Sequence, residues 1–122
     1  MYLKNIVKAA KENTYFRRVM YTGKNSQLVL MCIPPKGEIG DEVHPMTDQI
    51  LFFVVGSGEA IVAGESDKIC EGDVVFVPAN TEHNFKNTGK TDMKLYTVYA
   101  PPAHKDKTIE KTKDDVEKDE II

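Results

Sequence analysis

From Phe16 onward the chain is a series of short apolar runs separated by turn-forming residues. The runs are YFRRVMYT, QLVLMCI, QILFFVV, EAIVAG, DVVFVP, HNFKN and KLYTVYA, and Gly, Pro, Asn or Asp cluster at the breaks between them. Runs of this length, bounded by such residues, are typical of β-strands. No convincing crossover helix lies between them. The pattern therefore predicts an all-β fold, an antiparallel jelly-roll-like barrel rather than an α/β protein.

The length of 122 residues is enough for one domain with one core. Residues 1–15 have apolar side chains at helical spacing over a short stretch, which predicts an N-terminal arm or a short helix. Residues 16–102 carry the β pattern and form the predicted barrel. In residues 103–122 about twelve side chains are charged, with mixed sign and no apolar stripe. We expect a C-terminal tail that lies over the surface or is partly disordered.

Composition excludes several classes of function. The formal net charge of −3, with 16 basic residues scattered among 19 acidic ones, gives no basic face for nucleic acid. No run approaches the roughly 20 apolar residues of a membrane span, and the first residues lack the features of a secretory signal. We expect a soluble, cytoplasmic protein. Cys32 and Cys70 belong to no CxxC pair, and we expect both to be reduced, buried packing residues.

Two of the three histidines lie at the starts of strong strands. Glu42 and His44 alternate in EVH and point to the same side, and His83 opens the strand HNFKN. An imidazole in an apolar interior needs partners for its nitrogens, so a single buried histidine is more often hydrogen-bonded than metal-bound. Two histidines near a carboxylate resemble a transition-metal ligand set. His104 follows the double proline and is not part of this set.

Gln49 begins the strand QILFFVV, and the direction of its side chain determines which residues of the strand face the interior. If Gln49 points inward, the residues that share its face are Leu51, Phe53 and Val55, and those on the opposite face are Ile50, Phe52 and Val54. An apolar outward face must be covered by another sheet or by a second subunit. The simplest expectation is a homodimer.

A motif near residue 80 resembles the second of the two conserved motifs of the cupin superfamily. That family has Gly, five residues, Pro, one residue, Gly, two residues, His, three residues, Asn. At the same spacing this chain has Gly72, Pro78, Asn80, His83 and Asn87. Only the second glycine differs, and asparagine tolerates the left-handed backbone that glycine often adopts in a turn. The resemblance implies a double-stranded β-helix, or cupin barrel.

The first cupin motif has His, one residue, His, three or four residues, Glu, six residues, Gly. Here those positions are Glu42, His44, Gln49 and Gly56. The spacing is kept, but Glu42 stands for the first histidine and Gln49 for the glutamate. The resemblance covers residues 28–100, and it implies one divalent metal (Mn, Fe, Co, Ni or Zn) bound by His44, His83 and Gln49, with Glu42 a further ligand.

Neighbouring acids and apolar residues complete the predicted site. Asp41 and Asp48 flank the ligands and are candidates for hydrogen bonds to the imidazole N–H groups, or are simply solvated. The candidate wall residues of a ligand cavity are Met31, Phe53, Phe76, Phe85 and Tyr96. The alternative is a degenerate cupin in which Glu42 faces solvent and both histidines are only hydrogen-bonded.

The sequence has no Ser/His/Asp triad, P-loop or dinucleotide fingerprint, so the chemistry would come from the metal. The leading hypothesis is an isomerase-like enzyme that acts on a small sugar or keto acid by Lewis-acid catalysis. Glu42, if it is not a ligand, and Tyr96 are the candidates for proton transfer. The alternatives are an iron-dependent dioxygenase, a small-molecule or metal-binding module without turnover, and a structural dimer.

Overall fold

The structure is a computed structural model that describes residues 1–120, with side chains described to residue 116. Two short helices frame nine strands. The elements are α1 (Ile6–Glu12), β1 (Arg17–Thr22), β2 (Gln27–Ile33), β3 (Asp48–Val55), β4 (Ser57–Val62), β5 (Glu65–Cys70), β6 (Val74–Val77), β7 (His83–Asn87), β8 (Met93–Ala100), β9 (Ile109–Glu110) and α2 (Lys113–Glu120).

The strands form two antiparallel sheets. The larger has the order β6-β3-β8-β2-β1-β9, and the smaller has the order β5-β4-β7. Isolated bridges from Glu38 to Lys86 and from Glu42 to His83 attach the loop after β2 to the smaller sheet. The prediction of an all-β double-stranded β-helix is confirmed, although within residues 1–120 no single hydrogen-bonded ladder closes it into a complete barrel.

The interior between the sheets is apolar over most of its length. Strand β8 shows the expected alternation, since every second residue from Met93 to Tyr99 is buried. The buried cluster includes Met31, Phe53 and Phe85, as predicted for the cavity wall. Two other predicted wall residues are not there. Phe76 is 54% exposed on the edge strand β6, and Tyr96 lies on the outer face of β8.

The parity predicted for β3 holds from Gln49 to Val54 and fails at Val55. Gln49, Leu51 and Phe53 are buried on the inner side. The register against β8 then shifts between Phe53 and Val55, which marks a β-bulge. Because one extra residue reverses the alternation, Val55 packs with the outer cluster, and its predicted inward position is wrong.

The N-terminal segment packs on the outer face of the larger sheet. Asn5 caps α1 by accepting a 3.2 Å hydrogen bond from the Lys8 amide, which satisfies one of the free amides of the first turn. Ala10 of the helix is fully buried against Leu30 and Val54. Thus part of the outward apolar face is covered by the chain itself.

Most side chains of residues 103–116 are exposed at the surface, as expected, but the segment is attached to the larger sheet. Strand β9 pairs with β1, and Glu110 is only 2% exposed despite its charge. The carboxylate of Glu110 can be buried because the guanidinium of Arg17, in β1, lies beside it. The local sequence around Glu110 does not indicate this partner. Helix α2 follows, and Val116 packs against the core. Residues 121–122 lie outside the described residues.

Backbone conformation explains the substitution in the second motif. Asn80 has a φ of 59°, in the left-handed region, where asparagine is the best tolerated replacement for glycine. The expectation for the cysteines is only half right. Both thiols are free within the described part of the chain, but Cys70 is exposed while Cys32 is buried. Within residues 1–120 no helix is long and apolar enough to cross a membrane.

Candidate metal centre

The backbone brings the two motif histidines together at one end of the interior. Glu42 and His83 pair as an antiparallel bridge, with reciprocal amide-to-carbonyl hydrogen bonds of 2.9 and 3.0 Å. The carbonyl of His44 accepts a 2.7 Å hydrogen bond from the Asn80 amide. The rings of His44 and His83 have centroids 5.4 Å apart. The two segments that carry the motifs are therefore fastened to each other by main-chain bonds.

His83 is oriented by its own turn. Its ring is 2% exposed, and its Nδ1 lies 2.9 Å from the carbonyl oxygen of Thr81. A carbonyl can only accept, so a neutral imidazole there carries its proton on Nδ1 and keeps the Nε2 lone pair free. This is the tautomer that binds a metal through Nε2, with the other nitrogen held by a carbonyl.

His44 presents its Nε2 to the same region. The atom lies 3.3 Å from Oε2 of Glu42, but no residue of the described chain gives it a well-aligned hydrogen bond. Two ligands about 2.1 Å from one metal ion lie about 3.0–3.4 Å apart, depending on the coordination angle. The Glu42–His44 distance therefore suits two neighbouring ligands as well as it suits an ion pair.

The amide of Gln49 is held in one orientation. Its Nε2 donates to Oγ1 of Thr97 at 3.2 Å and to the hydroxyl of Tyr99 at 3.1 Å. Thr97 uses its own proton on the carbonyl oxygen of Ile50 at 2.9 Å, so its Oγ1 must accept from Gln49. Oε1 of Gln49 is buried without a partner among the described residues. The network leaves the carbonyl oxygen, the atom that can bind a metal, available.

Two acids share the buried guanidinium of Arg17. Glu110 lies 2.6 Å from Nη1, and Glu42 lies 3.8 Å from Nη2. Burial alone would raise the pKa of Glu42, but the contact with His44 and the positive charge of Arg17 outweigh it, and the pKa is lowered. Glu42 is therefore a carboxylate at neutral pH. With neutral imidazoles these three charged groups leave a net charge of −1, which favours a cation.

Tyr99 and His104 extend the site, and sequence reasoning missed both. The Tyr99 ring lies edge-on to His44 at 5.6 Å and to His104 at 4.9 Å. Burial raises the pKa of Tyr99 to about 12, and burial lowers the pKa of His104 to about 3. Both side chains are therefore neutral near pH 7. Nε2 of His104 is buried and has no hydrogen-bond partner within the described chain.

A buried glutamine fixes the segment that carries His104. Oε1 of Gln27 accepts from the amides of Ala103 and His104 at 3.2 and 3.0 Å, and its Nε2 donates to the His104 carbonyl at 2.7 Å. Gln27 is 2% exposed. These three hydrogen bonds tie the chain after the double proline to the first residue of β2, and the imidazole lies beside Tyr99.

Several predicted residues are not at the site. Tyr96 lies on the opposite face of β8 and stacks on Phe52, with centroids 4.7 Å apart and planes 12° from parallel. Asp41 is exposed, and Asp48 accepts a 2.8 Å hydrogen bond from the amide of Ala79 rather than from an imidazole. The alternation of side chains along β8 would have indicated Tyr99 instead of Tyr96, because Thr97 and Tyr99 lie on the same face of the strand as buried Leu95.

The residues at this end offer donor atoms of the kinds that bind a divalent metal ion, but as placed they do not form a closed site. Within residues 1–120 no group of three or more His, Cys, Asp or Glu side chains is placed to hold a metal ion, so Glu42, His44 and His83 do not by themselves make such a group. Two imidazoles that bind one ion have centroids at most roughly 6.5 Å apart, and the observed 5.4 Å falls within that limit. The donors are two nitrogens, an amide oxygen and a carboxylate, a set suited to Mn, Fe, Co, Ni or Zn.

The fold and this polar end together define a small double-stranded β-helix protein with nitrogen and oxygen donors at one mouth. A model of the cupin domain family matches residues 29–99, more than half of the chain. The chain belongs to the cupin superfamily. The match spans both motifs, including the two substituted ligand positions.

Two similar proteins support this assignment. The chain is 39% identical over 117 residues to YrkC of Bacillus subtilis, a protein of uncharacterized function, covering 91% of this chain and 63% of YrkC. This chain thus spans less than two thirds of that relative. The crystal structure of BH2720 from Bacillus halodurans has a TM-score of 0.94 and 34% identity, covering 96% of this chain and 93% of BH2720.

A more distant structure carries a functional description. A protein of Thermotoga maritima described as a predicted oxalate decarboxylase has a TM-score of 0.61 and 28% identity. The match covers 63% of this chain and 67% of the Thermotoga protein. That description applies to the Thermotoga protein, and for this chain the likeness shows the cupin fold.

Proposed function

We propose that this cupin binds one divalent transition metal through His44, His83, Gln49 and Glu42, and acts with it on a small oxygenated metabolite. One observation carries the proposal. Within the described chain, Oε1 of Gln49 is buried without a hydrogen-bond partner, and Nε2 of His44 has only the poorly aligned carboxylate of Glu42, 3.3 Å away. A buried unpartnered atom costs about 1–3 kcal/mol, and a cation bound by Gln49 and His44 would offset that cost.

The donor set indicates the type of chemistry. Gln49 replaces a carboxylate by a neutral amide, while Glu42 replaces a neutral histidine by a carboxylate, so with all four residues bound the ligands would carry the same single negative charge as the usual cupin set. If Glu42 is released, the remaining three ligands are neutral and would leave the full ionic charge on the metal. A metal bound there would polarise a carbonyl or hydroxyl oxygen of the organic ligand as a Lewis acid. This favours isomerisation of a sugar or keto acid, our leading hypothesis.

Isomerisation also needs a group that moves a proton. Tyr96 is excluded because it lies on the outer face of β8. Tyr99 keeps its proton near neutral pH, since burial raises its pKa to about 12, and it serves as a hydrogen-bonding group. Glu42 remains as the proton acceptor if it is released from the metal. If it stays bound, two histidines and one carboxylate resemble the ligands of iron oxygenases, which makes a dioxygenase the second candidate.

His104 would contact the organic ligand rather than the metal. Its ring is separated from His44 by the ring of Tyr99, and its unpartnered Nε2 is buried within the described chain. A neutral imidazole can donate to or accept from a hydroxyl or carbonyl oxygen. The hydrogen bonds of Gln27 hold it in place before any ligand arrives.

Elemental analysis of the purified protein tests the metal. We expect close to one transition-metal ion per chain in the wild type, a loss of it in His83→Ala, and retention in the histidine control His104→Phe. A wild-type protein that neither contains nor takes up Mn, Fe, Co, Ni or Zn would refute the proposal. So would a His83→Ala variant that binds metal as tightly as the wild type.

Turnover separates the candidate reactions. The metal-loaded protein is assayed with a panel of aldoses, ketoses and keto acids, and oxygen uptake is recorded in parallel after loading with Fe²⁺. Interconversion of a substrate without oxygen uptake supports the isomerase hypothesis. Oxygen uptake that depends on iron and substrate supports the dioxygenase. Metal binding without either activity would leave a binding module as the function.

A further inference from the structure

The two sheets leave an open edge between β5 and β6. These strands follow each other in the chain through residues 71–73, but β5 is the last strand of the smaller sheet and β6 is the last strand of the larger one. Among the described strands, neither has a neighbour on its other side. An edge strand presents unpaired main-chain donors and acceptors to whatever lies beside it.

A cleft of about 670 Å³ lies between these two edges, and we call it the lateral cleft. One wall is formed by residues 65–69 of β5, and the other by residues 73–75 at the start of β6. Its apolar lining includes Ala60, Ile69 and Val75, which belong to the core or pack against it. The volume is within the range of ligand-binding cavities, roughly 300–1,000 Å³.

Two carboxylates of β5 point into the lateral cleft. Side chains alternate along a strand and Ile69 is buried in the core, so Asp67 and Glu65 point to the same inner side. The pairing with β4 agrees, because Asp67 lies opposite buried Ala60 and Glu65 lies opposite Val62. Both acids are nevertheless exposed. The larger sheet therefore leaves this part of the inner face uncovered.

The main chain of β5 also faces the open edge. The amide of Lys68 donates a 2.8 Å hydrogen bond to Oδ1 of Asp67, and the amide of Cys70 donates a 2.8 Å hydrogen bond to Oδ2 of Asp73. An amide used in this way points away from β4, so alternate residues of β5 direct their main-chain groups to the open edge. Both bonds are exposed, and the carbonyl of an added strand could replace Asp67 as the acceptor.

The charges of the lateral cleft select among possible occupants. Glu65, Asp67 and Asp73 carry three negative charges along it, against the one positive charge of Lys68. Lys68 points to the outer side of β5, since it alternates with the two acids. Inward-pointing acids oppose pairing with an apolar or acidic strand, and they repel phosphate groups. A basic, extended segment is the occupant whose charge complements the cleft.

We propose that the lateral cleft binds a basic, extended segment of another protein as an additional antiparallel strand beside β5. Two residues of that strand, separated by one, would lie directly opposite Glu65 and Asp67. Lysine or arginine at both positions would form cross-strand ion pairs, while the main chain of the segment bonds to the open edge. The proposal does not depend on metal binding, because the lateral cleft and the metal centre use different side chains.

Fluorescence anisotropy with a labelled octapeptide, in which lysine and threonine alternate, tests the binding. We expect saturation with a dissociation constant below about 100 µM, the strength of a weak, transient contact. The same peptide with glutamate in place of lysine should not bind. A wild-type protein that does not bind the lysine peptide, or that binds both peptides equally well, would overturn the proposal.

Charge reversal tests the place of binding. Glu65→Lys combined with Asp67→Lys should raise the dissociation constant about 10-fold or more, because two attractive cross-strand pairs become repulsive. The matched control, Glu12→Lys combined with Asp106→Lys, makes the same change of net charge at exposed positions outside the cleft. It should stay within about twofold of the wild type, since distant charges are screened. Equal affinities of the two double variants would overturn the proposal, and urea unfolding verifies that both keep the fold.

Methylated peptides separate an added strand from simple attraction of charge. Ser66 and Lys68 direct their main-chain groups to the open edge, so the threonines opposite them would bond to it. The lysines opposite Glu65 and Asp67 would direct their amides away from β5. N-methylation of the threonines should therefore weaken binding about 10-fold more than N-methylation of the lysines. Equal affinities of the two methylated peptides would overturn the added strand.

Discussion

Neutralising Glu110 should destabilise the fold strongly although the residue lies in the charged C-terminal segment. Its carboxylate is 2.6 Å from Nη1 of Arg17, and both side chains are 3% exposed. Glu110→Gln leaves the guanidinium buried, with Glu42 at 3.8 Å as the remaining anion. Removing one partner of a buried pair costs about 3–5 kcal/mol. Because Glu42 compensates in part, we expect about 3 kcal/mol, a large share of the roughly 6–18 kcal/mol typical of this length.

Urea unfolding followed by far-ultraviolet circular dichroism measures this change. With a slope of about 1–3 kcal/mol per molar urea, a loss of about 3 kcal/mol lowers the midpoint by roughly 1–3 M. The control Glu65→Gln, at an exposed position of β5, should change the free energy of unfolding by less than about 0.5 kcal/mol.

A double replacement separates the ion pair from simple packing. Arg17→Met combined with Glu110→Met removes both charges and leaves apolar side chains, which is often nearly neutral for a buried pair. We expect the double variant to be more stable than Glu110→Gln. Two results would refute this explanation: equal urea midpoints for Glu110→Gln and Glu65→Gln, or a double variant less stable than Glu110→Gln. Either result would mean that Glu110 does not stabilise the fold by neutralising the buried charge of Arg17.

Three further predictions concern the site and the packing. Tyr99→Phe should weaken metal binding about 10-fold by releasing the Gln49 amide, whereas Tyr96→Phe should not; equal affinities in a competition titration would contradict this. Burial holds the pKa of His104 at about 3, below its usual 6.5, so the unfolded chain is protonated first as pH falls. The free energy of unfolding should therefore decrease below pH 6.5 by at most about 1.4 kcal/mol per pH unit, and by less because the ring is partly exposed. In His104→Phe the urea midpoint should depend less on pH between pH 7 and 5 than in the wild type. The same pH dependence in both proteins would exclude the effect. Gly58→Ala should lower the thermal midpoint far more than Gly64→Ala. A Cβ at Gly58 overlaps the backbone of β7, whereas a Cβ at Gly64 meets nothing within 4 Å and only strains the turn. Similar decreases of the midpoint in both variants would argue against the overlap.

The sequence predicted the fold and the meeting of the two motifs at one end of the interior because both depend on local spacing. The glycine, proline and histidine spacing of the second motif determines the turn before β7, and Asn80 adopts the backbone conformation that its substitution implied. Gln49 lies inside, and the alternation of β3 correctly placed Leu51 and Phe53 on the same face. The same alternation failed at Val55, because a bulge depends on how two strands pair and leaves no mark in either sequence.

The rest of the site depends on contacts between distant parts of the chain. Tyr96 and Tyr99 are both in KLYTVYA, and choosing between them required the parity of β8 relative to the interior. Arg17, His104 and Glu110 lie in segments that read as ordinary polar sequence. Each becomes a buried residue only through a partner far along the chain, and no local pattern indicates that partner.

The long separation between Arg17 and Glu110 also bears on how the protein emerges from the ribosome. The two residues are 93 positions apart, and at about 5–20 residues per second synthesis of that interval takes about 5–20 s. Throughout that time the guanidinium of the first strand lacks its closest counter-ion, and burying it would be costly. We therefore expect the first strand made to be among the last to join the sheet, and the nascent chain to depend on the other strands to hold its shape until then.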